Sequence, residues 1–152
     1  MEIERKYLVA ELPKDLEKYE QKKIAQGYLN TDPVVRVRRS NDEYYMTYKG
    51  KGLLAREEYN LPLNESAYEH LLSKIDGRLI EKVRYLIPLE GKNVAELDVF
   101  FGELEGLRMV EVEFDSIEES QGFVPPAWFG KEVTLDKRYH NSNLAMGGKW
   151  NE

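Results

Sequence analysis

At least six segments of this chain alternate apolar residues with charged ones, and the charges fall at i and i+2. In a β-strand, residues two apart share a face, so each segment presents one charged face and one apolar face. "EIERKYLV" sets Glu2, Glu4 and Lys6 against Ile3, Tyr7 and Val9. "VVRVRRS" sets Arg36 and Arg38 against Val35 and Val37, and "MTYKG" puts Thr47 with Lys49. "LAREEYN" groups Arg56, Glu58 and Asn60, and "EKVRYLI" pairs Lys82 with Arg84. "AELDVF" pairs Glu96 with Asp98, and "MVEVEFD" pairs Glu111 with Glu113. For one strand, a polar face turned to water is the ordinary explanation. For the set it is weaker, because solvated faces mix both signs with Thr, Ser and Gln. Here the acids sit on the first and last two strands and the bases on the middle ones. Like charges two apart repel, which calls for cross-strand ion pairs of roughly 0.2–1 kcal/mol each, or for a bound ligand.

The remaining pattern is strand-rich. Strands are predicted at about 2–9, 22–30, 34–40, 43–50, 53–63, 79–89, 93–101 and 107–115. Pro13 and Asp15 open a short helix through about Tyr19. "NESAYEHLLSKIDG" reads as a helix over 65–76, with Asn64 as cap and Gly77 as terminator. "SIEESQGF" gives a short helix over 117–121, "VPPAWFG" a loop, and "HNSNLAMGGKW" one or two helical turns. "SND" and "GKG" are hairpin-like turns. Short connections imply an antiparallel sheet, and about eight strands suffice to close a barrel. The 152 residues suit a single domain, 1–152.

Composition narrows the chemistry. The chain has no cysteine, which excludes disulfides, thiol catalysis and Cys-ligated metals. Its net charge of −6 argues against nucleic acid as a default partner. No apolar run approaches a membrane span and the N-terminus is charged, so the chain is expected to be cytoplasmic. Two histidines, His70 and His140, give no metal site, and neither looks well placed as a base. Carboxylates would have to hold any divalent metal, which favours Mg²⁺ or Mn²⁺. If the charged faces line a barrel's interior, Arg and Lys face Asp and Glu across one lumen. That arrangement suits a polyanion–metal complex. The apolar faces then point outward and need covering by helices.

The ordered set E-x-E-x-K, R-x-R, T-x-K, R-x-E, K-x-R, E-x-D and E-x-E resembles the CYTH proteins, also called triphosphate tunnel metalloenzymes. The resemblance implies a mainly β fold of the α+β class. It is an eight-stranded antiparallel closed barrel with a charged lumen and a few helices packed outside. It further implies that Glu2, Glu4, Glu111 and Glu113 hold metal, with Glu96 and Asp98 holding metal or positioning water. Lys6, Arg36, Arg38, Lys49, Arg56, Lys82 and Arg84 correspond to phosphate-binding residues, with Lys137 or Arg138 as a less specific addition. Lys6, Glu58, Glu96 and Asp98 are the candidate catalytic residues. Short relatives of this kind resemble tripolyphosphatases. That implies metal-dependent hydrolysis of the terminal phosphate of inorganic triphosphate. An adenylyl cyclase making cyclic AMP and pyrophosphate, a thiamine or nucleoside triphosphatase, and a non-catalytic polyphosphate binder remain as alternatives. The implied partner is a small triphosphate (tripolyphosphate, ATP or thiamine triphosphate), with no nucleic acid and no membrane; a homodimer stays open. Trp128 reads as a loop anchor, and His70 as a surface residue. Removing one lumen charge, as in Glu111→Gln, is expected to relieve repulsion.

Overall fold

The computed structural model describes residues 1–52 and 54–150. Leu53, which opens the expected strand 53–63, and the last two residues of the expected 1–152 domain lie outside the described residues. Ten strands form one antiparallel sheet: β1 (Glu2–Val9), β2 (Glu20–Thr31), β3 (Val34–Ser40), β4 (Glu43–Lys49), β5 (Ala55–Arg56), β6 (Glu58–Leu63), β7 (Asp76–Pro88), β8 (Val94–Phe100), β9 (Arg108–Glu113) and β10 (Phe129–Glu132). They run β10-β1-β9-β8-β7-β2-β3-β4-β6, with β5 bonded to β1. Only Glu57 separates β5 from β6, so the pair acts as one broken stave between β4 and β1. Glu2 opposite Arg56 and Ile3 opposite Ala55 nearly close the ring. The expected eight strands are therefore ten. The 53–63 segment divides, and β10 adds to β1 from outside the ring.

The loop expected over "VPPAWFG" gives way at Phe129 to β10, and the reason is local. "FGKE" has no apolar alternation and becomes a strand only by pairing with the edge of β1. Val133 N–H then donates to the Lys6 carbonyl at 2.8 Å. The other departures are also at boundaries. The segment after Pro13 makes only a 3₁₀ turn, Leu16–Lys18. Helix α1 spans Glu65–Leu72, with Asn64 Oδ1 accepting the Ala67 N–H at 2.7 Å. It stops short of Gly77, which instead lies in β7 with φ 68°. Helices α2 (Ile117–Gln121) and α3 (Asn141–Ala145) complete the fold. Among the described residues, no helix is long and apolar enough to cross a membrane.

Two apolar clusters hold the molecule. One lies on the outer face of β1, β8 and β9, where Ile3, Tyr7, Leu97, Val110, Val112 and Phe114 are covered by Phe123, Trp128 and Leu16. Trp128 stands edge-on to Phe129 with centroids 4.6 Å apart, the loop anchor its sequence suggested. The other cluster was not anticipated. On β1, β7, β8 and β9 the inward, charged face ends in an apolar residue at the same end of the barrel. Glu2, Glu4 and Lys6 lead to Leu8, while Glu96 and Asp98 lead to Phe100. Met109 precedes Glu111, and Ile80 precedes Lys82. These residues join Tyr28 and Val34, and Tyr139, Leu144 and Ala145 seal them. The lumen is thus charged above an apolar floor.

Gly77 touches that seal, because a Cβ there would collide with the Ala145 carbonyl oxygen. Gly91 has a similar φ of 72° with open space around it. Strain alone costs ~1–3 kcal/mol at such positions. Gly77→Ala is expected to lose clearly more unfolding free energy than Gly91→Ala in urea titrations. Equal losses would show that α3 does not lean on β7.

Candidate active site in the barrel lumen

The upper lumen is a cavity of about 380 Å³. One wall is acidic: Glu2 and Glu4 from β1, Glu96 from β8, and Glu111 and Glu113 from β9. Antiparallel register places them side by side, with Glu4 opposite Glu113, Lys6 opposite Glu111, and Glu96 opposite Glu111. The facing wall is basic: Lys22, Arg36, Arg38, Lys49, Arg56 and Arg84, from β2, β3, β4, β5 and β7. Lys6 and Glu58 also line the cavity.

Where the walls meet, cations and acids pair. Lys49 Nζ lies 2.9 Å from Glu2 Oε1 and 3.3 Å from Glu58 Oε2. Arg56 Nε lies 3.5 Å from Glu2. Lys6 Nζ donates to the Tyr139 carbonyl at 3.1 Å and stands 3.7 Å from Glu111. Arg84 grips Asp98 through two hydrogen bonds of 2.8 and 2.9 Å and reaches Glu96 at 3.2 Å. Arg36 leans on Thr47 at 3.2 Å, and Thr47 donates to Asn60 at 2.6 Å.

Three expected site residues do not line the cavity. Asp98 and Lys82 sit one layer down, directly above the apolar floor. Lys82 Nζ is 2.8 Å from Asp98 Oδ2, an ion pair by distance without hydrogen-bond alignment. It also lies 5.3 Å from the centroid of the Phe100 ring. Asp98 is therefore a buried partner of Arg84 and Lys82. Lys137 is exposed in a 3₁₀ turn and does not border the cavity, while Arg138 is bound to Asp136 at 2.7 Å.

The sequence reading also missed residues. Lys22 belongs to the inward face of β2 with Gln26 and Tyr28, but Ile24 interrupts the charge alternation that marked the other strands. His140 lines the cavity as well. Its Nε2 donates to the Thr134 carbonyl at 3.2 Å, which leaves Nδ1 as an acceptor. Burial and the neighbouring Lys6 hold its pKa below the usual imidazole value. The expectation that no histidine is well placed fails because the chain after β10 turns back over the lumen.

Titration separates the acids. Burial raises Glu4 well above the carboxylate range, and Glu111 and Glu2 add repulsion. Burial, Glu2, Glu96 and Glu58 raise Glu113, and burial raises Glu2 against the pull of Lys49. Burial also acts on Glu111, but Lys6, a hydrogen bond from Glu4, Arg84 and Lys82 together hold it well below the range. Burial opposes Glu58 too, yet Glu2 and Lys49 hold it low. The relief expected from Glu111→Gln therefore belongs to Glu4. Glu111 is the carboxylate that the cations stabilise.

Comparison with known proteins agrees with this geometry. The CYTH domain model matches residues 1–142. The chain is 45% identical over 148 residues to an inorganic triphosphatase of Nitrosomonas europaea, covering 95% of this chain and 97% of the relative. It is 41% identical over 147 residues to an inorganic triphosphatase of Acetivibrio thermocellus, covering 94% and 92%. A crystal structure of an inorganic triphosphatase superposes with TM-score 0.72 at 43% identity, covering 96% of this chain and 95% of the other. A Hippeastrum protein described with a dominant triphosphatase activity shares the fold at TM-score 0.62 and 14% identity, covering 80% and 83%.

Two stability predictions follow from the pairings. A carboxyl with raised proton affinity in the fold carries no penalty below the ordinary Glu value of 4.5 and its full penalty above the raised value. Glu4→Gln, which keeps a donor toward Glu111, is expected to raise the Tm at pH 7–8, with the gain vanishing below about pH 4.5. A gain independent of pH would contradict the assignment. Asp98→Asn strips Lys82 and Arg84 of their buried partner and is expected to cost ~3–5 kcal/mol in urea unfolding. A loss under ~1 kcal/mol would show that the pairing is unimportant.

Proposed function

The chain belongs to the CYTH family, and within it we propose that it hydrolyses inorganic triphosphate with the help of a divalent metal ion. The observation that carries this reading is the enclosed cavity with an acidic wall facing a basic one. Among the described residues that line the cavity, the large apolar or aromatic ones are Tyr28, Val34 and Tyr45, and most of the rest are charged. The substrate that fits is all phosphate.

Glu2, Glu4, Glu96, Glu111 and Glu113 would hold the metal. They offer oxygen donors only, which suits Mg²⁺ or Mn²⁺. Among the described residues, no three acids or histidines form a ready-made metal cluster. When bound, such an ion supplies charge neutralisation and Lewis acidity at the phosphates.

The chain's own groups supply the rest. Arg36, Arg38, Lys22 and Arg56 bind phosphate oxygens. Arg84, clamped by Asp98 and Glu96, offers a guanidinium that need not reorganise as charge spreads over the transferring group. Water attacks the terminal phosphorus, the anhydride bond breaks, and pyrophosphate leaves beside orthophosphate. The water's proton passes to a carboxylate oxygen of the acidic wall, where burial and neighbouring acids raise the proton affinity of Glu4, Glu2 and Glu113. Lys6, tethered to the Tyr139 carbonyl, keeps a cation beside Glu111. Glu58 positions Lys49, and Asp98 positions Arg84.

The test is a product assay with Mg²⁺ or Mn²⁺ on tripolyphosphate, ATP and thiamine triphosphate, with products separated. Equal amounts of phosphate and pyrophosphate from tripolyphosphate are expected, at the highest rate of the three and abolished by EDTA. Cyclic AMP with pyrophosphate from ATP would replace the reading with a cyclase. No phosphate from tripolyphosphate with either metal would end it. Glu113→Gln, at the exposed mouth, is expected to lower kcat by ~10²-fold with the Tm nearly unchanged. An unchanged kcat would remove Glu113 from the proton path.

A further inference from the structure

The cations of the lumen are held in two different ways. Lys49, Arg56, Lys82, Arg84 and Lys6 each have a carboxylate within ion-pair distance. Arg36 and Arg38 have none among the described residues; uncharged groups hold them instead. Arg38 Nε donates to Gln26 Oε1 at 2.7 Å, and Nη1 to the Tyr45 hydroxyl at 3.4 Å. Both partners stand directly across the sheet from Arg38, Gln26 on β2 and Tyr45 on β4. Arg38 Nη2 has no protein partner among the described residues, and Arg38 borders the cavity. Arg36 and Arg84 act on Arg38, the buried Lys82 lies close enough to feel it, and Lys22 and the exposed Glu43 line the same cavity.

Gln26 is a costly residue to keep where it is. It is 0% exposed, it does not line the cavity, and its Nε2 has no hydrogen-bond partner. Arginine has no acceptor, so the amide oxygen must face Arg38 and the orphaned NH₂ cannot be turned to better use. A buried donor without a partner is destabilising. A glutamate would leave no orphaned donor and would add a charge-assisted bond to a buried guanidinium. It would also cancel the charge of Arg38. A leucine would avoid the orphan but free Arg38 to turn.

We propose that Gln26 is a positioning residue for triphosphate binding: its neutral oxygen fixes Arg38 against β2 while leaving the guanidinium's full positive charge to the substrate. This rests on the triphosphatase reading and deepens it. It divides the lumen into Arg84 and Lys49, whose charges are matched by protein acids, and Arg36 and Arg38, whose charges are left for phosphate oxygens. A terminal phosphate, more highly charged than the middle one, docks against β3.

The test compares Gln26→Glu and Gln26→Leu with the unmodified protein in three measurements. These are Tm, tripolyphosphate affinity by calorimetry in excess EDTA, and kcat and KM with Mg²⁺. Gln26→Glu is expected to keep or raise the Tm, weaken tripolyphosphate binding about tenfold or more, and raise KM more than it lowers kcat. Gln26→Leu is expected to lower both Tm and affinity. A purely structural role would make affinity follow stability; here the Glu variant moves them in opposite directions. If Gln26→Glu binds tripolyphosphate and shows KM like the unmodified protein, the proposal fails. If that variant does not fold, unchanged KM in a folded Gln26→Leu protein overturns the proposal equally. If the unmodified protein neither binds nor hydrolyses tripolyphosphate, the triphosphatase reading fails first and takes this one with it.

Discussion

Mutual repulsion among Glu2, Glu4, Glu111 and Glu113 on adjacent strands is the constraint that the rest of the structure answers. Register forces these side chains onto one wall, where the burial of Glu2 and Glu111 strengthens their interaction. Lys49 and Arg56 answer Glu2, and Lys6 with Arg84 answers Glu111. Glu4 is answered least, so its affinity for a proton rises most clearly. A wall in this condition favours any positive charge that enters, whether a proton or a divalent ion. The barrel spends stability to keep it so, since apolar residues in the lumen would pack without repulsion.

The opposite wall is built on the complementary rule. Arg36 and Arg38 are oriented by Thr47, Gln26 and Tyr45, none of which carries a charge. Orientation without neutralisation keeps the local potential positive. Arg84 shows the contrast, because two carboxylates fix it and reduce what it offers to a ligand. Position on the sheet decides between the two cases. β7 faces the acidic β8, while β3 lies between β2 and β4, which set the neutral Tyr28, Gln26, Thr47 and Tyr45 directly opposite Arg36 and Arg38.

Much of this was legible in the sequence because strands alternate with a period of two. The pairing of charges at i and i+2 identified β1, β3, β7, β8, β9 and the Arg56–Glu58 segment, with Thr47 and Lys49 marking β4, and with them most of both walls. Depth along each strand was less visible. Asp98 and Glu96 look equivalent in "AELDVF", yet one extra step toward Phe100 carries Asp98 below the cavity. The apolar end residues that explain this, Leu8, Ile80, Phe100 and Met109, stand in the sequence but carry no charge to mark the end of the lumen. β10 and His140 were hidden for another reason. Their placement depends on the edge of β1 and on the return of the chain across the lumen, which are contacts between distant segments. Gly77 was read as a helix terminator because it follows an amphipathic run, whereas its positive φ serves close packing of β7 against α3.

The most direct measurement is a crystal structure grown with Mn²⁺ and tripolyphosphate, with the metal located by its anomalous scattering. The account requires the manganese peak against the carboxylates of β1 and β9, and phosphate oxygens on Arg36 and Arg38 within the same cavity. Manganese held on the outer surface, or a triphosphate bound away from β3, would contradict it.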